Sequence, residues 1–140
     1  MIRHKRNDNK RDGFTLVELL VVIVIISLLA GITAPRLVER IDESKWKLTK
    51  PGMNPIETAI DAYYTSCGDY PGSLNDLLTN PRIDGWAGPY LKESQLIDPW
   101  GFEYIYVPEG TINPGSYDII SYGKDGILGG EGYDADQYNN

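Results

Sequence analysis

Histidine and cysteine are almost missing from this chain. The one histidine, His4, lies among the basic first thirteen residues, and Cys67 is the one cysteine. Beyond residue 13, therefore, no Ser–His or Cys–His pair can be assembled, and no His-rich zinc site. An intrachain disulfide is excluded, and a lone cysteine leaves the redox compartment open. Carboxylates are plentiful, 20 Asp and Glu against 13 Lys and Arg for a net charge of −7. None sits in a recognisable catalytic spacing, so the chain is not expected to be an enzyme. The same acidity argues against a nucleic-acid partner. No internal repeat is present, and no low-complexity tract beyond the glycine-rich end. The length of 140 residues allows one small domain.

Long apolar runs are scarce as well, since there is only one. Residues 13–35 read GFTLVELLVVIVIISLLAGITAP. From Phe14 to Ala34 only Thr15, Glu18, Ser27, Gly31 and Thr33 interrupt the apolar side chains, and Glu18 is the only charge. As a helix the run is about 30 Å long, the thickness of a bilayer core. The flank before it, MIRHKRNDNKRDG, holds five Lys/Arg and two Asp, a net of +3, so its removal would leave −10. By the positive-inside rule the flank stays cytoplasmic and the rest is translocated. A secretory signal peptide is cut after its apolar run at small residues. Here a glycine, Gly13, stands before the run instead. Glu18 inside it costs roughly 2.5–3.5 kcal/mol on insertion scales, which marks it as functional and in need of a partner.

Gly13-Phe14-Thr15-Leu16-Val17-Glu18 resembles the class III signal of type IV pilins and type II secretion pseudopilins. The resemblance implies that a prepilin peptidase cuts after Gly13 and methylates the new amine of Phe14. It implies that Glu18 serves assembly, paired with a neighbouring subunit's amino terminus. A carboxylate and an amine that would each be stranded in lipid satisfy one another in that arrangement.

Past Pro35 the polarity changes. Residues 36–50, RLVERIDESKWKLTK, read as an amphipathic helix with Leu37, Ile41 and Leu48 on one side. Arg36–Arg40 and Glu39–Glu43 are like-charge pairs at helical spacing, so this helix is not built on i,i+4 ion pairs. Pro51 and Pro55 interrupt it, as a kink or as a true break. Asn54, Pro55 and Glu57 fit an N-cap, a first helical position and a capping-box acid. Ile56, Ala59, Ile60, Tyr63 and Cys67 then form a 3.6-period stripe. Gly68-Asp69-Tyr70-Pro71 ends that helix, and Ser73-Leu74-Asn75-Asp76 can cap a short one. Residues 102–107, FEYIYV, read as a strand after the Asp98-Pro99-Trp100-Gly101 turn. Residues 116–123, SYDIISYG, read as a second strand, Tyr117 and Ile119 on one face and Ile120 on the other. Trp86, Trp100 and the tyrosines are expected in the core.

GDYP, YLK, DPWG and the closing SYGKDG and GGEGYDAD resemble the major pseudopilins of type II secretion over nearly the whole chain past residue 13, least at 46–56. The implied fold is α+β, a long N-terminal helix, membrane-spanning in its first half, packed on a small antiparallel sheet. The domains are then a cleaved leader at 1–13, a transmembrane and filament-core helix at 14–35, and a periplasmic globular domain at 36–140.

In residues 123–136, GKDGILGGEGYDAD, Asp125, Glu131, Asp134 and Asp136 stand among five glycines. Calcium takes six to eight oxygens, and glycines let carbonyls turn inward. The spacing is not that of an EF-hand, and on residues alone a solvated acidic tail remains open. Soft metals are disfavoured without His or a nearby Cys. The family resemblance implies Ca2+, with Asp125, Asp134 and Asp136 as side-chain ligands and the carbonyls of Tyr122 and Ile127 as partners. Glu131 either joins them or faces solvent.

The function so implied is structural: a pseudopilus subunit that polymerises with itself into a periplasmic fibre and drives export of folded proteins. The implied partners are the prepilin peptidase, minor pseudopilins, the inner-membrane secretion platform and the membrane itself. Two alternatives stay open: a type IV pilin for adhesion or motility, and a membrane-anchored calcium-dependent carbohydrate-binding module.

Overall fold

The structure is a computed structural model that describes residues 13–140, apart from the side chains of residues 33–35. The leader's charges before Gly13 thus lie outside the described residues. The chain divides after Val38 into two compact units.

Helix α1, Leu16–Thr49, runs through Gly31 and Pro35 without interruption. Pro35 removes one amide donor, and the carbonyl it would have faced, four residues back, belongs to Gly31. Through residue 32 the apolar residues of α1 are all exposed. The last two turns carry the expected amphipathic pattern, but their use is different. Asp42, Lys45, Trp46 and Thr49 face the folded unit, while Ile41 and Leu48 stay exposed. The apolar side is thus not the one that packs on this chain.

Pro51 ends α1. Residues Pro51–Met53 form a 3-10 turn, and α2, Asn54–Cys67, follows at once. Lys50, Met53 and Asn54 all keep right-handed helical angles. The ladder changes register while the chain keeps turning, which lies between a kink and a break. The Met53 N–H bonds to the Lys50 carbonyl, leaving the Thr49 carbonyl without its usual donor four residues on. The Tyr104 hydroxyl donates to it instead at 2.8 Å. Gly52 permits that approach, since a Cβ there would run into the Tyr104 hydroxyl. Asn54 is helical and no side chain caps α2, so the expected N-cap is not made. Glu57 accepts from Asn139 Nδ2 at 3.0 Å rather than capping.

Ile56, Ala59, Ile60 and Tyr63 form the buried face of α2, with Cys67 packed at its edge. Gly68 closes the helix at φ 83°, its N–H on the Tyr64 carbonyl, a left-handed cap that glycine takes without strain. Ser73 and Asp76 cap the next element, which is a 3-10 turn, Leu74–Leu77, rather than an α-helix. A second 3-10 turn spans Glu93–Leu96.

The sheet has three antiparallel strands in the order β1-β2-β3. β1, Ile105–Val107, pairs with β2, Asp118–Ser121, in the register Tyr106↔Ile119. β3, Gln137–Tyr138, pairs Tyr138 with Ile120 and was not expected from the sequence. β1 is shorter than the expected 102–107 because Asp98 holds Phe102 in a turn. β2 is buried at all four residues, Ile120 included. Tyr117 and Ile119 join Tyr104 and the α2 stripe in one core. Trp86 lies against that core and donates to the Asp76 carbonyl at 2.8 Å.

Candidate functional site

Two regions bear the residues singled out in the sequence. The first is the start of α1. Gly13 and Phe14 are exposed and precede the helix, and the space around Gly13 Cα is open. Thr15-Leu16-Val17-Glu18 turns out to be a capping box. The Glu18 carboxylate accepts the Thr15 N–H at 2.9 Å, and the Thr15 hydroxyl accepts the Glu18 N–H at 3.2 Å. These bonds satisfy two of the amides that a helix start leaves open. The signal was legible as Thr-x-x-Glu before an apolar run. The Glu18 carboxylate therefore has a hydrogen-bond donor within its own chain.

The second region is the loop at 123–136. Gly123 brings two strands of backbone together: a Cβ there would lie 2.7 Å from the Tyr133 carbonyl oxygen and 2.8 Å from that of Ala135. Gly130 faces the Asp134 carbonyl equally closely, at 2.6 Å. Both are at positive φ, so glycine is required twice over. Asp125 accepts the Ile127 N–H at 3.0 Å. Asp136 accepts the Gly129 N–H through both oxygens, at 3.0 Å each, and the Tyr138 hydroxyl at 3.4 Å. Among the described residues no three His, Cys, Asp or Glu side chains are gathered as a metal cluster. The loop offers hard oxygens, carboxylate and carbonyl, around glycine-lined backbone, and that donor chemistry fits calcium.

This loop also ties the sheet to the helices. Lys124 reaches Asp42 at 2.6 Å, and that contact raises the lysine pKa. Tyr133 packs against Trp46 and Trp100, and Lys45 lies over the Trp100 ring at 5.5 Å. Gln137 Nε2 donates to the Trp46 carbonyl at 3.1 Å.

Two buried aspartates hold further turns; the sequence marked Asp98 as part of a turn, but the anchoring role of neither was read from it. Asp98 Oδ1 accepts the N–H groups of Trp100, Gly101 and Phe102, each at 2.9 Å, while Oδ2 accepts the Ser121 hydroxyl at 2.6 Å. Asp118 accepts the N–H groups of Thr111, Ile112 and Asn113, the Thr111 hydroxyl and the Asn113 amide. Burial pushes the Asp118 carboxyl up, but the backbone donors of Ile112, Thr111 and Asn113 and the Thr111 hydroxyl outweigh it and bring it to about 2. A carboxylate that collects several N–H donors needs no cation.

The domain sequence from 36 to 140 matches the family model for type II secretion system protein G, and residues 8–34 match the prokaryotic N-terminal methylation motif. The chain belongs to the type II secretion system protein G family. A type II secretion system core protein G of Xanthomonas campestris is 36% identical over 125 residues, covering 89% of this chain and 86% of its own. The Pseudomonas aeruginosa core protein G is also 36% identical, over 91% and 93% of the two chains. The crystal structure of the major pseudopilin of the enterohaemorrhagic Escherichia coli type 2 secretion system superposes with a TM-score of 0.55 at 26% identity. That match covers 75% of this chain and 94% of the other. The α+β fold, an apolar N-terminal helix with a small antiparallel sheet, is thus the pseudopilin fold.

Proposed function

We propose that this protein is a subunit of the type II secretion pseudopilus, held in the inner membrane by α1 and assembled with copies of itself into a periplasmic fibre that drives export. One observation carries the reading. The helix after Gly13 exposes every large apolar side chain from Leu16 to Ile32, on a chain whose remainder has its own core. Such a surface needs lipid first and other helices later, which is what a subunit moving from bilayer to filament meets.

Cleavage after Gly13 and methylation of Phe14 by the prepilin peptidase prepare the subunit. Glu18 begins in its own capping box and can exchange that contact for a neighbour's amino terminus on assembly. Minor pseudopilins and the inner-membrane platform are the expected further partners. Deleting the gene tests the reading: exported proteins should accumulate in the periplasm while twitching and adhesion persist. Loss of motility with normal export would favour a type IV pilin.

We further propose that the loop at 123–136 holds Ca2+ through Asp125, Asp134 and Asp136 with the carbonyls of Tyr122 and Ile127. A bound cation supplies the positive charge that lets these carboxylates share one loop. Asp136 would give up its Gly129 contact to join. What supports the reading is the oxygen-donor chemistry of this glycine-rich loop.

A further inference from the structure

A cleft of about 380 Å³ lies along β1. One wall is the 3-10 turn that starts at Leu74, with Leu78 just after it. A second is the 3-10 turn that carries Glu93 and Leu96, and the third is residues 103–106. The backbone explains why this edge is open. Ile119 spends both its N–H and its carbonyl on Asn139, on the side of β3. Tyr106 stands opposite Ile119, so its own N–H and carbonyl point away from β2. Further back the same edge is covered, since the Tyr104 N–H donates to the Leu96 carbonyl at 2.8 Å. The residues that would continue the cover, 93–95, are coiled in their 3-10 turn, and the cover stops before Tyr106. The Tyr106 hydroxyl is shut off from solvent and has no partner either. The cleft also carries charge of one sign. Glu93 and Glu103 are exposed on its walls, and neither makes an ion pair among the described residues.

We propose that this cleft takes an extended peptide segment of another protein, which adds a strand to the β1 edge and offers a lysine or arginine side chain to Glu93 and Glu103. Strand addition uses the open main-chain groups for affinity and side-chain pockets for selectivity. Here Tyr106 supplies the main-chain groups, Leu74, Leu78 and Leu96 an apolar wall, and the two glutamates the preference for a cation. Successive side chains of a strand point to opposite sides, so the segment that fits alternates apolar and basic residues. A second copy of this chain is a poor occupant, because it offers no extended basic segment among the described residues. Arg82 stands in a turn at φ 69°, its N–H held by Asn80. Lys92 begins a wall of the cleft itself, its N–H on Gln95. Lys124 is paired with Asp42, and the other cations of this unit lie on α1 or at its end. The proposal does not depend on the assembly reading.

Full-length protein in detergent micelles, titrated with a fluorescent pentapeptide of alternating valine and lysine, tests this. The peptide should bind, and hydrogen exchange at the Tyr106 amide should slow on binding. A peptide with glutamate in place of lysine should not bind, nor should the lysine peptide with a methylated backbone. Glu93→Gln combined with Glu103→Gln should weaken binding about fivefold, and added salt should weaken it in the parent protein. Both changes are on the surface, so the melting temperature should stay where it was. Equal binding of the methylated or glutamate peptide, binding without protection of the Tyr106 amide, or no binding at millimolar peptide would overturn the proposal. Hydrogen exchange on sheared fibres gives the last check. A Tyr106 amide already protected there without peptide would mean that a second copy covers the edge, and would also overturn it.

Discussion

From Leu16 to Ile32 every large apolar side chain of α1 is exposed, whereas Met53, Ile56, Ile60, Leu77 and Ile119 are closed off completely. The first region has apolar surface in excess and no way to bury it in its own fold. The second has little, and it closes its turns on buried carboxylates, Asp98 and Asp118, whose acceptors collect backbone N–H groups. One region is incomplete without other molecules. The other is finished by polar bonds that a small core could not replace. The contrast teaches where substitutions should act: on assembly in the first region, on stability in the second.

The largest break in that contrast should come at Glu18. Glu18→Ala should remove fibres altogether while membrane insertion persists, since a costly charge is lost from the span. Counting fibres sheared from cells, alongside membrane fractionation, checks it. The stability of the second region should be unchanged.

Asp118→Ala should do the reverse. It strands the N–H groups of Thr111, Ile112 and Asn113 in a buried site, at a cost of about 3 kcal/mol in denaturant unfolding. Membrane insertion should be normal. Calcium sharpens the same side of the comparison. A ligand bound only to the folded state at a hundredfold excess over its Kd adds about 2.7 kcal/mol. Melting should therefore rise on calcium addition after chelator, and Asp125→Ala or Asp134→Ala should abolish most of the rise. Magnesium should substitute poorly.

Acid should act next. The Asp118 carboxyl is depressed from its ordinary value of 3.8 to about 2. Its contribution is fully present above the unfolded pKa and is lost as pH falls through the folded one. The loss is about 2 kcal/mol, falling between about pH 4 and pH 2. In Asp118→Asn that part of the pH dependence should disappear. The smallest effect is expected from Gly52→Ala, about 1 kcal/mol, as the new methyl displaces the Tyr104 hydroxyl from the Thr49 carbonyl. Adding Tyr104→Phe should make the two changes less than additive.

The contrast also explains which parts were legible in the sequence. Ile56, Ala59, Ile60 and Tyr63 repeat at helical spacing and pack as the stripe implies, and Gly68 ends the helix where a left-handed cap is needed. Gln137-Tyr138 carries no strand pattern, because two residues are too few for one and the pairing is set by β2. Asp98 was read only as part of a turn, and Asp118 only as a residue of a strand. Their burial follows from donors offered by the turns at 100–102 and 111–113, and no spacing within the sequence announces that three N–H groups converge. Asn54 was misread as a cap because Pro51 and Gly52 hold Met53 in helical angles, which removes the extended residue a cap requires. Leu37, Ile41 and Leu48 were rightly grouped on one side, but periodicity does not say which molecule covers that side. For the loop at 123–136 the glycines were legible as tight backbone approaches, and the carboxylate contacts were not.

The central claim is that the exposed apolar helix is a permanent part of the working subunit. Intact-mass measurement on protein from membranes and from sheared fibres tests it most directly. The account predicts a chain that begins at Phe14, lacks residues 1–13 and carries one added methyl group, in both fractions. A chain that begins after Ala34 would mean the helix is discarded as a signal peptide, and the account would be wrong.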